Sequence, residues 1–255
     1  MIGRAGLPTR DQVVEINARF ADAGPEDVLA WALDCFHPRV ALASSFGAED
    51  VVLIDMLWRL NPAARVVTLD TLRLHTETYD VIDRIRARYG GEVEIMYPEL
   101  AAVDRLVKER GYNGFYASVA NRQACCGIRK VEPLGRALAD LDAWITGLRR
   151  DQAASRADVH KVEINAGHGG ILKLNPLADW SNDEVWAYIR EHEVPYNALH
   201  DQGYPSIGCQ PCTRAVAPDE DPRAGRWWWE QEAAKECGIH VAYDAQGVAR
   251  IARRG

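Results

Sequence analysis

The chain has 255 residues, 47% hydrophobic and 26% charged, with a formal net charge of −7. Such proportions belong to an ordinary soluble globular protein large enough for one sizeable core. The acidic balance excludes general nucleic-acid binding, which needs a basic footprint, and no apolar run reaches the length of a membrane span.

The N-terminal stretch from Met1 to Pro8 lacks the apolar core of a secretory signal. A cytoplasmic protein is therefore expected, without a disulfide framework. Amphipathic segments follow near 11–22 and 25–36. The apolar run 39–45 reads as a buried strand, and a helix starting at about Ala48 carries Val51, Val52, Ile54 and Leu57 at helical spacing. Strands are expected at 65–70 and 92–97, with helices at 75–89 and 99–110. Residues 143–147 form a fourth strand, and 158–165 and 171–174 extend the sheet. Ser181 and Glu184 make a capping box that opens a last helix. Alternating strands and helices predict an α/β fold, a parallel sheet with helices on both faces.

Cys125 and Cys126 are adjacent, and Cys209 and Cys212 form a Cys-x-x-Cys pair. Four thiolates so arranged suit Zn²⁺ or an iron–sulfur cluster and exclude a hard-cation site. Spacing alone leaves zinc and iron both open, and four incidental core cysteines are the bland alternative. Cys237, in the polar stretch 235–240, lies outside this set and is free to react. Cys35 sits in the apolar run 28–36, where core packing is expected.

Ligands of open α/β sheets bind beyond the carboxyl ends of the strands. Loops 44–50, 70–75, 96–99 and 146–151 emerge there. The Ser44-Ser45-Phe46-Gly47 turn leads into a helix and can present N–H groups to an anion. Basic clusters at 149–156 and 223–226 read either as solvated surface or as an anion pocket; the first lies just past a strand end, which favours the pocket. No Walker A motif or dinucleotide fingerprint follows any strand. Residues 215–225 are rich in turn formers and are expected to act as a hinge. The aromatic run 227–229 is expected to pack against the body.

Seven motifs in order, at 44–50, 69–71, 125–130, 146–152, 208–214, 223–228 and 236–240, together resemble the assimilatory sulfonucleotide reductases, and more narrowly their iron–sulfur adenylyl-sulfate (APS) reductases. That resemblance implies an adenine-nucleotide α-hydrolase-like (PP-loop) fold. It implies a nucleotide- and cluster-binding domain over 1–214 and a mobile C-terminal segment over 215–255. Ser44, Ser45, Phe46 and Gly47 would form the modified pyrophosphate loop, and Leu69, Asp70, Thr71 and Gly147 would border the nucleotide. Lys130, Arg149, Arg150, Arg156, Arg223 and Arg226 would surround the phosphosulfate. Cys125, Cys126, Cys209 and Cys212 would hold a 4Fe–4S cluster.

The implied chemistry is attack by Cys237 on the sulfur of adenosine 5′-phosphosulfate, giving AMP and an S-sulfocysteine. His240 would tune the thiolate or bind phosphate. No second free cysteine lies near in sequence, so an external dithiol protein, thioredoxin (or glutaredoxin), would release sulfite. The implied assembly is a homo-oligomer, dimer or tetramer. Two alternatives stand beside this reading: a reductase of the 3′-phosphorylated substrate, and a zinc-stabilised nucleotide-binding module.

Overall fold

A computed structural model describes residues 6–153 and 156–230, and the backbone of 242–243 and 249–250. Strands β1 (Val40–Ser44), β2 (Arg65–Leu69), β3 (Val93–Met96), β4 (Ala143–Ile145), β5 (Val162–Asn165) and β6 (Ile171–Leu174) form one sheet in the order β3-β2-β1-β4-β6-β5. Neighbours run parallel except β5, which is antiparallel to β6. The helices are α1 (Arg10–Arg19), α2 (Pro25–Phe36), α3 (Ala48–Leu60), α4 (Thr76–Tyr89), α5 (Leu100–Arg110), α6 (Val119–Cys126), α7 (Glu132–Ala137) and α8 (Asn182–Glu191).

Successive strand side chains point to opposite faces, so each central strand feeds two cores. Val40, Leu42, Val66 and Ile145 pack with the apolar faces of α2, α3, α4 and α8. Ala41, Val67, Trp144 and Ile171 pack against Leu134, Ala137 and Leu141. Helix α3 is buried nearly all round from Ala48 to Trp58, as a helix must be when it lies between a sheet and other helices. The expected capping box is present: Ser181 Oγ accepts from Glu184 N at 3.2 Å, and Glu184 accepts from Ser181 N at 2.7 Å.

Two features depart from the sequence-based expectations. Cys35 is exposed on α2 rather than in the core. Helices α6 and α7 occupy a stretch given no element, and between them the backbone widens into a π turn, Gly127–Val131, where the Glu132 N–H reaches back to Gly127 O. The turn-rich stretch 215–225 is tied to its flanks: Arg214 N donates to Gly225 O at 3.0 Å, Val216 N to Gly203 O at 2.9 Å, and Arg214 pairs with Glu220 at 2.7 Å. Trp227 is buried and Trp228 remains 40% exposed. Among the described residues no helix is long and apolar enough to cross a membrane.

Candidate active site

A cavity of about 210 Å³ opens at the carboxyl ends of β1, β2 and β4, where strand order changes direction about β1, the usual ligand crevice of such sheets. Of the expected residues, Ser44, Ser45, Leu69, Thr71, Lys130, Gly147, Arg156, Arg223 and Arg226 line it. Phe46, Gly47, Asp70, Arg149 and Arg150 are not part of its lining. Cys237 and His240 fall outside the described residues.

The turn after β1 is held from within. Phe46 is wholly buried with φ 57°, a left-handed conformation uncommon for a bulky residue, and its N–H donates to Ser44 Oγ at 3.0 Å. Ser45 donates from both N and Oγ to Asp50 Oδ2, at 2.5 and 2.8 Å. Burial pushes the Asp50 carboxyl up to about 6, with Glu49 adding to the rise and hydrogen bonds from Ser45 and Gly47 opposing it. Asp70 does the same service for the next loop, where its Oδ1 accepts from Leu72 N at 2.8 Å and from Tyr79 Oη at 3.0 Å.

The cations divide into two groups. Arg149 is 4% exposed and engaged by Glu49 at 2.9 Å, by Asp151 at 3.4 Å and by Trp180 O at 3.1 Å. Arg150 pairs with Asp179 and donates to Val159 O at 2.8 Å. Both arginines tie loops together. Arg156 lines the cavity and donates to Gln152. Arg226 lies 4.9 Å over the Trp227 ring and donates to Ser206 Oγ and Ile207 O, both at 3.2 Å. Its buried Nε has no hydrogen-bond partner, and a methyl group at Gly208 would collide with its guanidinium.

Cys125 and Cys126 end α6, while Cys209 precedes and Cys212 ends the short turn Gln210–Cys212. The two pairs influence one another: Cys209 acts on Cys125 and Cys212, and Cys126 acts on Cys212. Burial pushes Cys125 up and Cys212 up to about 12. At Cys209 burial also raises, yet Lys130, a hydrogen bond with Thr71 and the charges of Arg226 and Arg129 outweigh it, and the thiol falls below its usual value. Thr71 Oγ1 and Cys209 Sγ lie 3.3 Å apart. Among the described residues no three ligating side chains converge on a single-ion site. The four sulfurs fit an all-thiolate cluster by donor chemistry, since each iron of such a cluster takes its own cysteine and the thiolates need no common centre.

Several residues at the site were not singled out in the sequence. Arg129 is 6% exposed, donates to Thr71 O at 2.7 Å and acts on Cys125 and Cys209. Asp50 and Ser206 line the cavity, and so does Trp227 from the aromatic run already expected to pack against the body. Arg129 and Asp50 stand inside recognised motifs, but neither was singled out, because adjacency in sequence does not reveal which way a side chain faces.

Residues 39–215 match the phosphoadenosine phosphosulfate reductase domain. A Burkholderia cepacia protein, adenosine 5′-phosphosulfate reductase, is 54% identical over 205 residues, covering 80% of this chain and 82% of the relative. Phosphoadenylyl-sulfate reductase from Candida auris, solved as a phosphate complex, superposes with a TM-score of 0.70 at 29% identity, over 82% of this chain and 98% of that one. Candida glabrata FMN adenylyltransferase, 14% identical with a TM-score of 0.53 over 97% of this chain and 83% of its own, shares the fold alone. The mostly parallel sheet flanked by helices is the adenine-nucleotide α-hydrolase-like fold that the motifs implied.

Proposed function

The chain belongs to the phosphoadenosine phosphosulfate reductase family, and from that premise we propose that it reduces adenosine 5′-phosphosulfate to sulfite and AMP in assimilatory sulfate reduction. The observation that carries this reading is the position of Lys130. It lines the cavity and its charge also acts on Cys209 and Cys212, so one cation serves both the anion pocket and the cysteine group.

In this reading Lys130, Arg156, Arg223 and Arg226 neutralise the phosphosulfate and stabilise the charge that builds on the departing phosphate oxygen. The thiolate of Cys237 attacks sulfur, the S–O bond to AMP breaks, and an S-sulfocysteine remains. A thiol of thioredoxin (or glutaredoxin) then attacks the Cys237 sulfur. Sulfite leaves, and the reductant's second thiol resolves the mixed disulfide. Cys125, Cys126, Cys209 and Cys212 would hold a 4Fe–4S cluster, whose part would be electrostatic or structural, since the substitution at sulfur is itself a two-electron step that needs no electron from it. A cytoplasmic homo-oligomer, dimer or tetramer, with segment 215–255 presenting Cys237 to the cavity, completes the proposal.

The test is sulfite release with thioredoxin from adenosine 5′-phosphosulfate and from its 3′-phosphorylated relative. Preference for the first is expected. Preference for the second would move the chain to the other branch of its family, and turnover of neither would end the proposal.

A further inference from the structure

A short Ser/Gly turn at a helix N-terminus ordinarily offers its N–H groups to an external anion. In this chain they face an internal one. Ser45 gives both its N–H and its hydroxyl to Asp50 Oδ2, Gly47 N–H also bonds Asp50, and Phe46 N–H is taken by Ser44 Oγ. Gly147, from the loop after β4, closes the other side: a Cβ there would lie 2.6 Å from Asp50 Oδ1 and 2.8 Å from Glu49 Cβ. Asp50 is 7% exposed, and that remaining edge lines the cavity. A phosphoryl group entering the turn would meet a carboxylate and donors already engaged.

We propose that Asp50 is a positioning residue: a resident anion that closes the turn against phosphate and leaves the phosphosulfate to the cationic rim of Lys130, Arg156, Arg223 and Arg226. Ser44 and Ser45 then border the uncharged part of the nucleotide. Without Asp50 the same turn would become a decoy, competing with the rim for the substrate's charged end and holding it where no thiolate can reach.

This inference rests on reading the cavity as the nucleotide site, but its test requires no turnover. Inorganic pyrophosphate is titrated calorimetrically into the intact protein. Asp50→Ala should bind it more tightly than wild type by roughly tenfold or more, the effect of one charge-assisted contact. Adding Ser45→Ala should take back part of that gain. With adenosine 5′-phosphosulfate, nonproductive binding should lower kcat and KM together, whereas a general loss of structure would lower kcat/KM. Asp50→Asn, which keeps an acceptor for Ser45 but removes the charge, should show a smaller gain and serves if the alanine variant does not fold. Unchanged pyrophosphate affinity in a folded variant overturns the proposal. So does a gain that ignores Ser45→Ala but disappears with Arg226→Ala. Should the protein fail to turn over the nucleotide while the titration succeeds, only the proposed substrate falls.

Discussion

Arg122 and Glu230 meet in the interior as a two-pronged ion pair, Nε to Oε1 at 2.7 Å and Nη2 to Oε2 at 3.0 Å, with each side chain only 4% exposed. The same guanidinium lies 4.6 Å over the Trp227 ring. Glu230 is the last residue described before the stretch that holds Cys237, and Arg122 belongs to α6, the helix that ends in Cys125 and Cys126. The pair therefore pins the root of the C-terminal stretch to the cysteine-bearing helix.

Removing one partner strands a buried charge. Arg122→Met or Glu230→Leu alone should cost about 3–5 kcal/mol of unfolding free energy, and the double replacement should recover most of it. Urea denaturation of the three variants checks this. Singles within 1 kcal/mol of wild type, a small loss on this scale, would mean that the pair is solvated.

Changing Cys125, Cys126, Cys209 or Cys212 to Ser removes one thiolate from a set of four. Each variant should lose iron, measured by metal analysis and visible absorbance, together with sulfite production. Full iron content in any variant would exclude that cysteine from the cluster.

Cys237→Ser replaces a thiolate former with a hydroxyl that stays protonated at neutral pH. Iron content and nucleotide affinity should persist while sulfite release falls to background. Wild-type protein given adenosine 5′-phosphosulfate without reductant should gain one sulfonate on the peptide that contains Cys237. An adduct on a different cysteine would refute the assignment.

Arg223 and Arg226 line the cavity, and each charge-assisted contact is worth about 1.5–3 kcal/mol. Alanine at either position should weaken nucleotide binding by about tenfold to a hundredfold. For Arg226, which also braces Ser206 and Ile207, melting should be followed alongside. Lowered stability with unchanged affinity would make it a brace only.

Asp50 holds its proton more tightly in the fold than in the unfolded chain, at about 6 against 3.8. Its contribution to stability is therefore greatest below the unfolded value, declines as pH rises between the two, and is level above 6. The decline is about 3 kcal/mol. Asp50→Asn, uncharged throughout, should abolish this slope and match or exceed wild-type stability at pH 7 and above. Identical pH profiles for the two proteins would show that the carboxyl is not perturbed.

Strands β1 to β4 and helices α2 to α5 were legible because their apolar residues repeat with a clean period or run unbroken between turn formers. The segment from Val119 to Ala137 was not, since its π turn interrupts helical phase within the Cys-Cys motif. The strand at β5 was expected, but its antiparallel direction was not, because period-two patterning says nothing of strand direction. In the site, the cysteines stood out by spacing, whereas the pairing of Arg149 with Glu49 and Asp151 and of Arg150 with Asp179 was not legible. A charge's partners come from distant parts of the chain, and sequence proximity does not announce them.

The π turn at Gly127–Val131 makes residue count, as distinct from residue identity, a functional variable. A helix advances about 100° per residue, so dropping Gly127 or Ile128 would keep every ligand and every charge yet point Lys130 somewhere else. Such a chain would still match the motif's chemistry on inspection. Its cation would no longer belong to both the pocket and the cysteines. The wide turn is thus an indexing device, converting a fixed number of peptide units into a fixed bearing.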